Sequence, residues 1–135
     1  MKRKWNSYDE MVASQKKTRR RPRHIESDIQ IECVKLFRLF YPKYMIFSVP
    51  NGGARSSIEA AILSAEGVMP GLSDLIAVAE GKILFIEMKA PQGRQSRYQR
   101  EFQVKVEKLG FQYRICRSVA DFEETVKKWL NEKTR

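Results

Sequence analysis

Three side chains in this sequence combine type and spacing in a way that could do chemistry: Asp74, Glu87 and Lys89, in the pattern D-x(12)-E-x-K. Two apolar runs, Leu75–Ala79 and Ile83–Met88, flank Glu80-Gly81-Lys82 and read as a β-hairpin. With Glu80-Gly81 as a two-residue turn, Ala79 pairs with Lys82 and Asp74 lies directly opposite Glu87. Directly opposed side chains share a face of the sheet, and Lys89, two residues on, shares it as well. A three-residue turn would shift the register by one and separate them. Two carboxylates facing each other among apolar strands repel and are poorly solvated. A divalent cation removes the conflict, and carboxylate oxygens with water suit Mg²⁺ or Mn²⁺. Such an ion can polarise a phosphate and lower the pKa of an attacking water, while Lys89 stabilises the developing charge. A plain salt bridge of Lys89 to one acid would explain one pair and leave a carboxylate over.

The elements that must position these groups are legible from periodicity. Ile25, Ile29, Cys33, Leu36, Phe37 and Phe40 recur at three- and four-residue steps, one face of a helix that Pro42 ends. Tyr44 to Ser48 reads as a short strand, and Pro50-Asn-Gly-Gly53 as a turn. Ser56 or Ser57 caps a helix running to about Glu66, with Gly67 as its stop. Gly67-Val-Met-Pro-Gly71 is a tight connector into the hairpin. Ser96-x-x-Gln99 opens a helix that ends at Gly110, Phe111 to Cys116 is a strand, and Ser118 caps a last helix carrying Phe122, Val126, Trp129 and Leu130. The order predicts an α/β sandwich with a mixed sheet.

Three linked segments, Gly67-Val-Met-Pro-Gly-Leu-Ser-Asp74, Ile83-Leu-Phe-Ile-Glu-Met-Lys89 and Gly93-Arg-Gln-Ser-Arg-Tyr-Gln99, resemble the VRR-NUC family, a branch of the PD-(D/E)xK nuclease superfamily. The resemblance runs from about Ile25 to the last residue. It implies a restriction-endonuclease-like αβββαβ core, a mixed sheet flanked by helices. It implies Asp74, Glu87 and the backbone carbonyl of Met88 as metal ligands, Lys89 as the catalytic lysine, and a nuclease acting on DNA with Mg²⁺ or Mn²⁺. Stand-alone members of this size look viral or prophage-derived and tend to act as homodimers on branched DNA such as four-way junctions. A family glutamate on the first helix, facing the metal, is matched by Glu26. The family's usual proline before the aspartate is Ser73 here; proline there shapes backbone and donates nothing to a metal.

Each further candidate has a plain structural reading beside the functional one. Glu26 lies where an acid also favours a helix dipole. Gln99 completes a capping box with Ser96 and, by the resemblance, borders the active site. Arg94 and Gln95 are read as DNA contacts or as solvated side chains. In Asn51-Gly-Gly-Ala-Arg55 the glycines let backbone N–H groups approach a phosphate that Arg55 clamps, or form a turn with an exposed arginine.

Composition bounds the rest. At 135 residues, 42% apolar and 31% charged, the chain has the proportions of one soluble globular domain. No apolar run reaches the roughly 20 residues that span a bilayer, and the N-terminus lacks a secretory pattern, so an intracellular protein without membrane attachment is expected. Of the net charge of +10, most sits in residues 1–23, with nine Lys or Arg, including Arg19, Arg20 and Arg21, against Asp9 and Glu10. Residues 1–24 are expected to form a flexible, basic tail that favours a polyanion, ahead of a nuclease-like domain over 25–135. The same charge also suits the alternative of a non-catalytic DNA- or RNA-binding module. Cys33 and Cys116 have no metal-ligand spacing and are expected as buried, reduced thiols.

Overall fold

A computed structural model describes residues 25–50 and 56–133. Residues 1–24, expected as a tail and including Arg19, Arg20 and Arg21, and residues 51–55, with Asn51 and Arg55, lie outside the described residues. Helix α1 spans Ile25–Phe40, strand β1 Met45–Phe47, helix α2 Ser57–Ala65, strands β2 Leu75–Ala79 and β3 Lys82–Met88, helix α3 Arg97–Lys108, strand β4 Gln112–Cys116 and helix α4 Val119–Asn131. The sheet order is β1-β2-β3-β4, antiparallel across the first two junctions and parallel between β3 and β4. This is the α/β fold expected, an αβββαβ core with α2 and α4 added.

Strand alternation divides the molecule into two layers. Leu75 and Ala77 on β2, Leu84, Ile86 and Met88 on β3, and Cys116 on β4 face α1 and α4, where they are buried with Cys33, Phe37, Phe122, Val126 and Trp129. Phe85 and Tyr113 face α3, packed with Phe102 and Val106. Glu87 therefore projects toward α3, between strands whose other face is the main core. Both cysteines are free and buried, and burial pushes the Cys33 thiol up to about 12 and the Cys116 thiol up to about 11.

The helix ends are set by capping. Ser56, Ser96 and Ser118 each accept a bond from the backbone N–H three residues on. At the other end of α4, the Lys82 ammonium donates to the carbonyls of Trp129 (2.9 Å), Leu130 (3.4 Å) and Glu132. A cation placed on the negative end of a helix ties the hairpin turn to the last helix. Among the described residues, no helix is long and apolar enough to cross a membrane.

Candidate active site

The hairpin turn has two residues. Ala79 pairs with Lys82 and Leu75 with Ile86, so continuing the register sets Asp74 opposite Glu87. Asp74 Oδ2 accepts the Met88 N–H at 2.7 Å, which brings the aspartate carboxylate and the Met88 peptide beside Glu87. The parallel ladder continues one residue past β3, with Lys89 N donating to Cys116 O at 3.0 Å, so Lys89 keeps the strand alternation and shares the Glu87 face.

Glu87 is 1% exposed, the one buried acid among the described residues. Both its oxygens accept: Oε1 from Gln99 Nε2 at 3.0 Å, Oε2 from the Tyr113 hydroxyl at 3.3 Å. Burial, and then the neighbouring Asp74 carboxyl, push the Glu87 pKa up to about 9, against the pull of the Lys89 ammonium. Raised this far, the Glu87 carboxyl keeps its proton at neutral pH. That proton marks where a cation would be welcome. Two carboxylates and an adjoining peptide carbonyl form a hard oxygen donor set suited to Mg²⁺ or Mn²⁺, and the ion would neutralise the repulsion that the proton now relieves.

Gln99 performs both of the roles its position allowed. Its Oε1 accepts the Ser96 N–H at 2.8 Å, completing the capping box, while its Nε2 holds Glu87. The helix terminus and the carboxylate are thus braced by one side chain. The connector makes this possible. Gly71 has φ +77°, and a Cβ there would overlap the Tyr98 carbonyl and lie 2.7 Å from Gln99 N. Only glycine lets the segment leading to Asp74 run so close to the first turn of α3. In the family's proline position, Ser73 is buried and donates to Leu75 O at 3.2 Å, so a hydroxyl bond shapes the backbone there.

Glu26 arrives from the opposite layer. Its Oε1 accepts the Ala90 N–H at 3.2 Å, past the end of β3. Among the described residues no three acidic, histidine or cysteine side chains gather around one point, so Glu26 stands apart from the Asp74–Glu87 pair. Arg117, unremarked in the sequence, holds the same turn, with Nη1 donating to Ala90 O (2.9 Å) and Gly93 O (2.6 Å). Tyr113 was also missed, and Gln95, read as a DNA contact or a solvated side chain, donates to the Tyr113 hydroxyl at 3.2 Å. Two signals were available. A tyrosine in a buried strand position needs a partner for its hydroxyl, and Gln99, Gln103 and Glu107 recur every four residues along one line of α3, with Gln95 four residues earlier, just before the cap.

Beside the pair opens a cleft of about 360 Å³, walled by Gln30 of α1, Val49 and Pro50 after β1, Asp74, and Ser96 and Tyr98 at the start of α3. Arg94 is exposed just before α3, and Ser96 lines the cleft while capping the helix.

No curated protein matches the chain. A solved structure titled "VRR_NUC domain protein" superposes with a TM-score of 0.63 at 18% identity, covering 82% of this chain and 91% of that one, which is a likeness of fold. The VRR-NUC domain model matches residues 26–120, a span that holds Glu26, the Asp74–Glu87 pair, Lys89 and Gln99. The chain belongs to the VRR-NUC domain family.

Proposed function

We propose that this protein is a metal-dependent DNA endonuclease that hydrolyses phosphodiester bonds and selects branched DNA such as four-way junctions. The observation that carries the reading is the opposed Asp74–Glu87 pair, with Lys89 on the same face and an open cleft alongside. Asp74, Glu87 and the Met88 carbonyl would hold Mg²⁺ or Mn²⁺, with Glu26 of α1 bracing the strand end at Ala90 beyond them. The ion supplies Lewis acidity toward a phosphate oxygen and an acidified water. Lys89 stabilises charge that builds on the phosphate as the bond to the leaving oxygen breaks. Gln99 keeps Glu87 oriented. Arg94, Ser96, Asn51 and Arg55 contact the DNA backbone, and Arg19, Arg20 and Arg21 add a salt-sensitive, sequence-independent attraction.

A homodimer suits a substrate with two equivalent strands. Helix α2 buries none of its residues, and Ile58 and Ile62 are 75% and 52% exposed. Met45 and Phe47 of the edge strand β1 are exposed as well. Apolar surface of this kind supports pairing with a second copy.

The test is cleavage of a labelled four-way junction beside matched linear duplex and single strand, in Mg²⁺, Mn²⁺ or EDTA. Metal-dependent cutting of the junction, lost in Asp74→Ala and Lys89→Ala while both variants still bind it, is expected. Equal cutting of all three substrates would remove the branch preference. Binding without cutting in any metal would favour a non-catalytic nucleic-acid-binding module.

A further inference from the structure

Behind Glu87 lies a chain of hydrogen bonds whose direction is fixed from its far end. Glu107 is an exposed carboxylate on α3 and can only accept. It takes Gln103 Nε2 at 2.9 Å. That turns the Gln103 amide oxygen the other way, where it accepts Gln95 Nε2 at 2.9 Å. The Gln95 amide nitrogen has two hydrogens, and the second goes to the Tyr113 hydroxyl oxygen at 3.2 Å. With its oxygen already accepting, the hydroxyl has its single hydrogen left, and that points at Glu87 Oε2, 3.3 Å away. Reversing any link would set two donors or two acceptors face to face. The segment that carries Gln95 is itself fixed, because Arg100 Nη1 donates to the Gln95 carbonyl at 2.9 Å.

We propose that Tyr113 is a positioning residue for Glu87, committed by the Gln95–Gln103–Glu107 chain to donate to Oε2, so that the carboxylate meets an incoming divalent cation in one fixed orientation. The proposal rests on the metal-dependent reading of the site. Gln99 and Tyr113 grip the two oxygens of Glu87 from two elements, α3 and β4, which leaves the carboxylate no free rotation about its terminal bond. A ligand held this way keeps its geometry before the ion arrives, and partners of this kind tune metal affinity by roughly 10- to 100-fold. Remote as they are, Gln103 and Glu107 act on the ion through the polarity they impose on Tyr113.

Tyr113→Phe removes the hydroxyl and little volume. The full chain and this variant are titrated with Mn²⁺ alone, without DNA, by calorimetry, and junction cleavage is followed across Mn²⁺ concentrations. Mn²⁺ affinity is expected to fall about tenfold. Cleavage should fall at low Mn²⁺ and recover at high Mn²⁺, with KM for the junction unchanged. Gln103→Leu, at a half-buried position that touches neither Asp74 nor Glu87, frees the Gln95 amide to turn its oxygen to Tyr113 and should weaken Mn²⁺ binding in the same direction by a smaller factor. Because Mn²⁺ also stabilises the folded chain by mass action, affinity and cleavage are read well below each variant's melting temperature, where a stability change alone leaves both chains folded and Mn²⁺ affinity unchanged. Mn²⁺ affinity within twofold of wild type in Tyr113→Phe would overturn the proposal and leave the nuclease reading standing. Wild type that binds no Mn²⁺ would overturn both.

Discussion

Replacing Glu87 by glutamine should stabilise the metal-free protein at neutral pH while abolishing its function. The reason lies in the proton that Glu87 keeps. Glu87 titrates at about 9 in the folded protein and near 4.5 ordinarily. Between those values the folded chain keeps a proton that the unfolded chain has released, so stability falls as pH rises. The stability is complete below about 4.5 and is lost progressively toward 9, at up to about 1.4 kcal/mol per pH unit. At pH 7 the loss amounts to about 3 kcal/mol. Glutamine keeps the shape and cannot ionise, so this dependence disappears. One contact suffers, because a single amide oxygen cannot accept from both Gln99 and Tyr113, at a cost of about 1 kcal/mol. The variant is therefore expected to be less stable than wild type by about 1 kcal/mol at pH 4.5 and more stable by about 2 kcal/mol at pH 7. Urea unfolding in EDTA at several pH values from 4.5 to 8 measures this as two curves that cross. Parallel curves, with the variant less stable throughout, would refute the reasoning, since Glu87 would then be ionised in the folded protein. Adding Mn²⁺ should raise the wild-type midpoint and leave the variant's unchanged.

Three further substitutions probe the scaffold. Gly71→Ala should destabilise by about 3 kcal/mol or more and reduce cleavage, because a Cβ would collide with the α3 backbone; Gly67→Ala, also at positive φ but with nothing within 4 Å, should cost only about 1–2 kcal/mol and spare activity. Thermal melting and junction cleavage separate the two, and equal losses would mean that close approach to Tyr98 is unimportant. Lys82→Met should lower stability by about 1–2 kcal/mol through the lost contacts with the end of α4, with cleavage unchanged because Lys82 begins the strand that Glu87 and Met88 end. Unfolding measurements showing no loss would make the ammonium's contacts with α4 energetically neutral.

The site combines features that cost stability with the scaffold that bears them. A buried acid beside a second acid is unfavourable in the metal-free protein. It persists because three elements surround it: β2 supplies the register, α3 supplies Gln99, and β4 supplies Tyr113. Glu26 and Arg117 meet at the turn after Lys89, one on the Ala90 N–H and the other on the Ala90 carbonyl, and so hold the strand end that carries the lysine from both sides of one residue.

Local chemistry wrote much of this into the sequence. Glu80-Gly81 with its flanking apolar runs announced the hairpin and left its register open between a two- and a three-residue turn. Once Ala79 pairs with Lys82, the period of two sets Asp74 opposite Glu87. Ser56, Ser96 and Ser118 announced three helices, since a cap needs only the backbone of the next turn. What the sequence could not determine was which groups from distant segments would close on Glu87. Tyr113 comes 26 residues after Glu87, from a parallel strand whose register is set by packing rather than by a turn. Arg117 reaches back to Gly93, and Glu26 reaches forward to Ala90, across layers that share no local signal. Gln95 read as a DNA contact or a solvated side chain, and nothing singled out Gln103, until the fold placed Tyr113 beside Gln95. Pairing within one hairpin is a local property of the chain; the polarity of the network behind Glu87 exists only once α3 lies against the sheet.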